Sequence, residues 1–124
     1  MSNKAKILVV EDNPSNRELF LDLLAVGGYE CIGTDKGEEA LELAKREAPA
    51  LVLLDIQLPG VDGLTVVKML KAEEETKRIK VVALTAYAMR GDKEKFLDKG
   101  FDGYISKPVT VKEFLVEIKK YLEG

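Results

Sequence analysis

Five short apolar runs punctuate this chain, at residues 7–10, 29–34, 51–54, 81–84 and 104–105. The first four carry good strand formers. The run at 51–54 is apolar at every position, as expected of a strand covered on both faces. The fifth run is short and is placed by the rhythm of the other four. Helical patterns lie between them. Asn13-Pro14 gives an N-cap and a proline at the first helical position, followed by a stripe of Leu19, Phe20, Leu23 and Leu24 that Gly27-Gly28 ends. Asp35 is expected to cap a second helix carrying Ala40, Leu41 and Ala44, and Asp62 a third carrying Leu64, Val67 and Leu70. A fourth runs from about residue 90 to 99 around Phe96 and Leu97, with Gly100 after it. The fifth opens on Thr110 and Glu113, a capping-box spacing, and puts Val111, Phe114, Leu115, Ile118 and Leu122 on one face.

The pattern is strand–helix, five times over, at about 25 residues per unit. Five such units make a doubly wound, flavodoxin-like α/β fold rather than an eight-stranded barrel. Its five-stranded parallel sheet would run in the order 2-1-3-4-5. The 124 residues are expected to form a single domain, 1–124. The charged stretch 73–78 is too short for a linker and reads as a surface loop.

Ligands of such sheets bind beyond the carboxyl ends of the strands. Glu11 and Asp12 follow the first strand, Asp55 the third, Thr85 the fourth, and Lys107-Pro108 the fifth. If the first and third strands are neighbours, three carboxylates converge. Two unit charges ~4 Å apart repel by about 4 kcal/mol at an effective dielectric near 20. Such a cluster calls for a cation or for raised pKa values. Oxygen donors without histidine or thiolate favour a hard ion such as Mg²⁺ (or Mn²⁺). A metal and Lys107 could bind a phosphoryl group, Thr85 could donate to it, and an aspartate could accept it covalently. Gly60 and Gly63 suit the turn that follows Asp55.

Composition narrows the chemistry further. The chain has no histidine, so it holds no Ser-His-Asp or Cys-His system, no HExxH site and no Cys/His zinc finger. Its single cysteine, Cys31, cannot form an internal disulfide and suits a reducing compartment, so a cytoplasmic location is expected. Nineteen Lys+Arg against 22 Asp+Glu, a net charge of −3, argues against broad nucleic-acid binding. No apolar run approaches the ~20 residues of a membrane span.

The stretches Ile-Leu-Val-Val-Glu-Asp-Asn (7–13), Leu-Leu-Asp-Ile-Gln-Leu-Pro-Gly-Val-Asp-Gly (53–63), Ala-Leu-Thr-Ala (83–86) and Tyr-Ile-Ser-Lys-Pro (104–108) together resemble response-regulator receiver domains of two-component signalling. The likeness spans essentially the whole chain, and is strongest to stand-alone regulators and to receivers of hybrid histidine kinases. It implies that Asp55 is the phosphoacceptor for a phosphohistidine on a sensor kinase or a histidine phosphotransfer protein. It implies Mg²⁺ ligation by Asp12, Asp55 and the Gln57 carbonyl, with Glu11 completing the acidic site. By the same resemblance, Lys107, Thr85 and the Ala86 N–H would contact the phosphoryl group. Tyr104 would swing inward with Thr85, switching the partner face of helix four, strand five and helix five. Gln57 and Tyr87 would tune phosphate lifetime, bulky Tyr87 by shielding. Read from the residues alone, Tyr104 is an aromatic packed on an edge strand. Only the family likeness raises the Lys107-Pro108 bond above the ordinary expectation of trans.

A flavin carrier would need a phosphate-binding loop where Glu11-Asp12 stands. An aspartyl phosphatase of the haloacid-dehalogenase type would need a D-x-D motif and a cap domain. Two alternatives stay open beside the switch: an intermediate relay or a receiver piece of a hybrid kinase, and a phosphorylation-independent pseudo-receiver. Met1 and the ending after the fifth helix lead us to expect a complete protein, a monomer or weak dimer. It would act through a downstream protein target rather than nucleic acid or membrane.

Overall fold

The computed structural model describes residues 5–56, 63–85, 92–106 and 110–123. The elements alternate along the chain: β1 (Lys6–Val10), α1 (Pro14–Val26), β2 (Glu30–Thr34), α2 (Gly37–Glu47), β3 (Leu51–Asp55), α3 (Gly63–Ala72), β4 (Lys80–Thr85), α4 (Asp92–Asp98), β5 (Gly103–Ser106) and α5 (Val111–Glu123). The strands form one parallel sheet in the order β2-β1-β3-β4-β5. β1 pairs with β2 from Lys6 opposite Glu30 to Val10 opposite Thr34, and with β3 from Ile7 opposite Leu51. The expected five-unit doubly wound architecture is therefore the observed one.

Strand alternation sends successive side chains to opposite faces, and both faces are covered. Leu8, Val10, Val52, Leu54, Val81 and Ala83 are buried in one core with Ala40 and Ala44 of α2 and Val66, Val67 and Leu70 of α3. Ile7, Val9, Leu51, Leu53, Val82 and Leu84 are buried in the other with Phe20, Leu23 and Leu24 of α1 and Phe114 and Ile118 of α5. The Phe20 and Phe114 rings meet at 5.4 Å between centroids, joining α1 to α5. The unbroken apolar character of 51–54 follows from this two-sided burial.

The caps explain where the helices begin and end. Asn13 Oδ1 accepts the Asn16 N–H at 3.0 Å with Pro14 at the first helical position, and Gly27 caps the other end of α1. Gly28 then turns the chain with φ +87. Thr110 Oγ1 accepts the Glu113 N–H at 3.1 Å, as its spacing predicts. The start of α2 differs from expectation: the N-cap is Lys36, without a side-chain cap bond, and not Asp35. Just before it, the hydroxyl of buried Thr34 fixes the turn into the helix. It accepts the Lys36 N–H at 3.2 Å and donates to Glu39 Oε1 at 2.7 Å. Three stripe positions also differ, since Leu19, Leu97 and Val111 are 48%, 43% and 48% exposed. Val111 is the first residue of α5, and Leu19 stands beside buried Phe20 in α1. The expected cap Asp62 and the helix start near Arg90 lie outside the described residues.

The amino edge of the sheet is held by polar contacts. Lys71 Nζ donates to the Ile79 carbonyl at 2.9 Å and to Asp102 Oδ2 at 2.8 Å, and that oxygen also accepts the Val81 N–H. Lys80 Nζ donates to the Tyr121 carbonyl at 2.6 Å, near the end of α5. Within the charged stretch 73–78, Thr76 is fully buried, and its hydroxyl donates to the Leu70 carbonyl near the end of α3 at 2.6 Å. Cys31 sits on β2 near the Leu21 carbonyl of α1, where burial and the nearby Asp22 raise its pKa.

Candidate functional site

The carboxyl ends of β1 and β3 carry the acids. In the sheet order these two strands are neighbours, so the residues that follow Val10 and Leu54 must lie close together. Carboxylate oxygens of Glu11, Asp12 and Asp55 all come within 4.8 Å of one another. Glu11 and Asp55 are buried, at 1% and 6% exposure, and Asp12 lies nearer solvent. Burying carboxylates side by side is costly unless a cation or hydrogen bonds compensate. A hard cation with oxygens at about 2.1 Å spans up to about 4.2 Å between opposite ligands. The 4.8 Å spread is somewhat wider than that span, so this all-oxygen donor set could hold such an ion once its carboxylates draw in.

Local structure holds each acid in place. The Glu11 N–H donates to the Thr34 carbonyl at 3.0 Å, extending the β1–β2 ladder one residue past the strand. The Glu11 carbonyl accepts from Arg17 Nη1 at 3.0 Å, and Glu11 Oε1 accepts from Asn16 Nδ2 at 3.3 Å. Asp12 is therefore presented from a short turn fixed on both sides, with the Asn13 cap directly after it. Asp55 is the last residue of β3, paired opposite Leu84, and the Ile56 N–H donates to the Leu84 carbonyl. Gly63, the first residue of α3, packs its Cα against this strand end. A Cβ there would sit 2.8 Å from the Asp55 carbonyl oxygen and 2.8 Å from Ile56 Cα. The glycine expected to serve the turn is thus what lets α3 start against the acid-bearing strand.

Thr85 closes β4, its backbone paired with Ser106 of β5, at the same edge of the sheet. Tyr104 is half-buried on β5 opposite Ala83, with its ring 5.7 Å from that of Phe96 of α4. Its carbonyl accepts from the Tyr121 hydroxyl at 3.4 Å. A cleft of about 440 Å³ opens between β5 and α5, bordered by Tyr104, Ser106, Glu117 and Tyr121. Gln57, Gly60, Ala86, Tyr87, Lys107 and Pro108 lie outside the described residues. Neither Asn16 nor Arg17 stands out in the sequence. The available signal was position: helical side chains lean toward the amino end, so residues in the first turn of α1 point back at the preceding strand end.

An acidic cluster at the carboxyl ends of β1 and β3, in a five-stranded sheet of this order, defines a class of signalling domain. The chain belongs to the response regulator receiver domain family, whose model matches residues 7–119. It is 51% identical over 116 residues, 94% of either chain, to the polar-differentiation response regulator DivK of Brucella ovis. The receiver domain of the sensor histidine kinase PA1611 of Pseudomonas aeruginosa, solved with a magnesium ion coordinated in its active-site cleft, matches with a TM-score of 0.89 and 31% identity. That match covers 98% of this chain and 99% of that one. The BeF3-activated receiver domain of RstA from Klebsiella pneumoniae matches with a TM-score of 0.87 and 31% identity over 96% and 99%. As a family member the chain is a two-component signalling switch rather than a conventional enzyme. No helix among the described residues is long and apolar enough to cross a membrane.

Proposed function

We propose that this chain, as one receiver domain over 1–124, takes a phosphoryl group onto Asp55 from a phosphohistidine. The donor is a sensor histidine kinase or a histidine phosphotransfer protein. The observation that carries the reading is the convergence of Glu11, Asp12 and Asp55, two of them buried, within 4.8 Å. A carboxylate oxygen of Asp55 attacks phosphorus, the P–N bond breaks, and the imidazole leaves with its electron pair. Glu11, Asp12, Asp55 and the Gln57 carbonyl would hold Mg²⁺ (or Mn²⁺). When bound, the ion neutralises the charge that builds on the transferring oxygens. Lys107, Thr85 and the Ala86 N–H would bind the phosphoryl oxygens.

Thr85 and Tyr104 then carry the state outward. β4 and β5 are paired through Ala83–Tyr104 and Thr85–Ser106, and the Tyr104 ring meets that of Phe96, so a shift at Thr85 would pass along these strands toward α4. The face of α4, β5 and α5 would present that change to a downstream protein. Tyr87 would slow hydrolysis by covering the phosphate, with Gln57 as the second tuning position. We place this switch in the cytoplasm, as a monomer or weak dimer.

The test is a small phosphodonor with Mg²⁺, read by intact mass. One phosphate per chain is expected, absent without the metal and absent in Asp55→Asn. Beryllofluoride should change capture of the partner. Many turnovers of donor per chain would make the protein a phosphatase. No modification would make it a pseudo-receiver. Equal partner capture in both states would remove the switch.

A further inference from the structure

We propose that Arg17 and Asn16 are positioning residues for the acidic site, and that Gly33 is a glycine in order to leave Arg17 its path. The inference rests on the metal site proposed above and adds residues outside its ligand set.

Asp12 leaves the chain from a peptide whose carbonyl belongs to Glu11. The direction of the Asp12 Cα–Cβ bond is set by that peptide plane together with φ of Asp12. Arg17 Nη1 holds its carbonyl at 3.0 Å. On the other side of Glu11, the N–H is held by the Thr34 carbonyl at 3.0 Å. Asn16 Nδ2 reaches the carboxylate itself at 3.3 Å. Asn13, with its side chain on the Asn16 N–H and its carbonyl on the Arg17 N–H, holds the backbone of both residues in the first turn of α1, beside that strand end. Partners of this kind, which touch ligands and not the ion, set ligand geometry and so metal affinity.

Gly33 supplies the independent observation. It lies inside β2, where glycine weakens a strand. Its φ is not in the left-handed region, which among the described glycines only Gly28 and Gly100 occupy, so conformation does not require it. Space does. A Cβ at Gly33 would lie 3.2 and 3.3 Å from Cδ and Cγ of Arg17 and 3.0 Å from Leu21 Cδ1. The arginine stem crosses β2 at the one position there that has no side chain.

Charge and positioning predict opposite signs. A guanidinium beside an acidic site repels a divalent cation, so removing its charge alone tightens Mg²⁺ binding. Loss of positioning weakens it. The experiment is calorimetric Mg²⁺ titration of the full chain, with melting in EDTA as the check on folding. Arg17→Met should weaken Mg²⁺ about tenfold, and Arg17→Lys, which can still donate to the carbonyl, should restore most of that. Asn16→Ala should weaken it about tenfold, and Gly33→Ala, with every charge retained, should weaken it by less. Asn16→Ala carries the test if Arg17→Met does not fold. Tighter or unchanged binding in the folded variants, with only the melting point lowered, overturns the proposal and leaves the metal site standing. Wild-type binding in Asp12→Asn overturns the metal site and the proposal with it.

Discussion

Asp12→Asn should make the metal-free protein more stable while removing its response to Mg²⁺. The substitution keeps the size of the side chain and deletes one charge from a cluster whose oxygens lie within 4.8 Å of one another. At that distance two unit charges repel by about 3.5 kcal/mol at an effective dielectric near 20, and Asp12 faces two such partners. Water at the open side of Asp12 screens much of this, as it does for ion pairs at a surface. A gain of about 1–2 kcal/mol in EDTA at pH 7 and low salt is the resulting expectation. For a domain of this size it raises Tm by roughly 3–10 °C. In wild type, Mg²⁺ at one hundred times its Kd should add about 2.7 kcal/mol. The variant, short of a ligand, should gain little. The order of stability therefore reverses between EDTA and saturating Mg²⁺, which paired thermal melts in the two buffers will read. A variant less stable than wild type in EDTA would refute the repulsion argument. A variant with the full Mg²⁺-dependent rise would refute the placement of Asp12 in the site.

Two further outcomes follow from the packing. Gly63→Ala gains up to about 1 kcal/mol of helix propensity, but must relieve 2.8 Å contacts with Asp55 and Ile56 backbone atoms. The overpacking costs about 1–3 kcal/mol, so the urea midpoint should fall with m unchanged, and a rise would refute the close approach. Burial, then Glu117, raises the pKa of Tyr121. The folded state thus keeps a proton that the unfolded state releases, and stability should fall as pH rises above about 10. Tyr121→Phe should flatten that decline in alkaline melts, and an unchanged slope would count against the assignment.

The repeating order of strands and helices was legible because two-sided burial leaves apolar runs, and caps such as Asn13 and Thr110 act within three residues. The acids were legible because each directly follows its strand, and parallel pairing of β1 with β3 then leaves them no choice but to meet. What escaped was decided by contacts distant in sequence or by competition. Asp35 looked the better cap, but the cap falls one residue later, at Lys36, after a turn fixed by the buried Thr34 hydroxyl. Thr76 was hidden in a run of charges, because only the fold shows that the Leu70 carbonyl lies above it. Leu19 fits the helical period of its stripe, and how far a sheet extends beneath a helix is not written in that period. Asn16 and Arg17 are ordinary helix residues until the strand end behind them is in view.

Thr76, Lys71 with Asp102, and Lys80 with the Tyr121 carbonyl all sit at the amino edge of the sheet, and the acids sit at the other. A five-residue strand separates the two edges by about 16 Å, beyond the range over which substitutions ordinarily couple. Substitutions among the amino-edge contacts are thus expected to leave the acids as they are. Selection, or an engineer, can harden the amino edge to suit a hotter or harsher cell and leave the acidic cluster untouched.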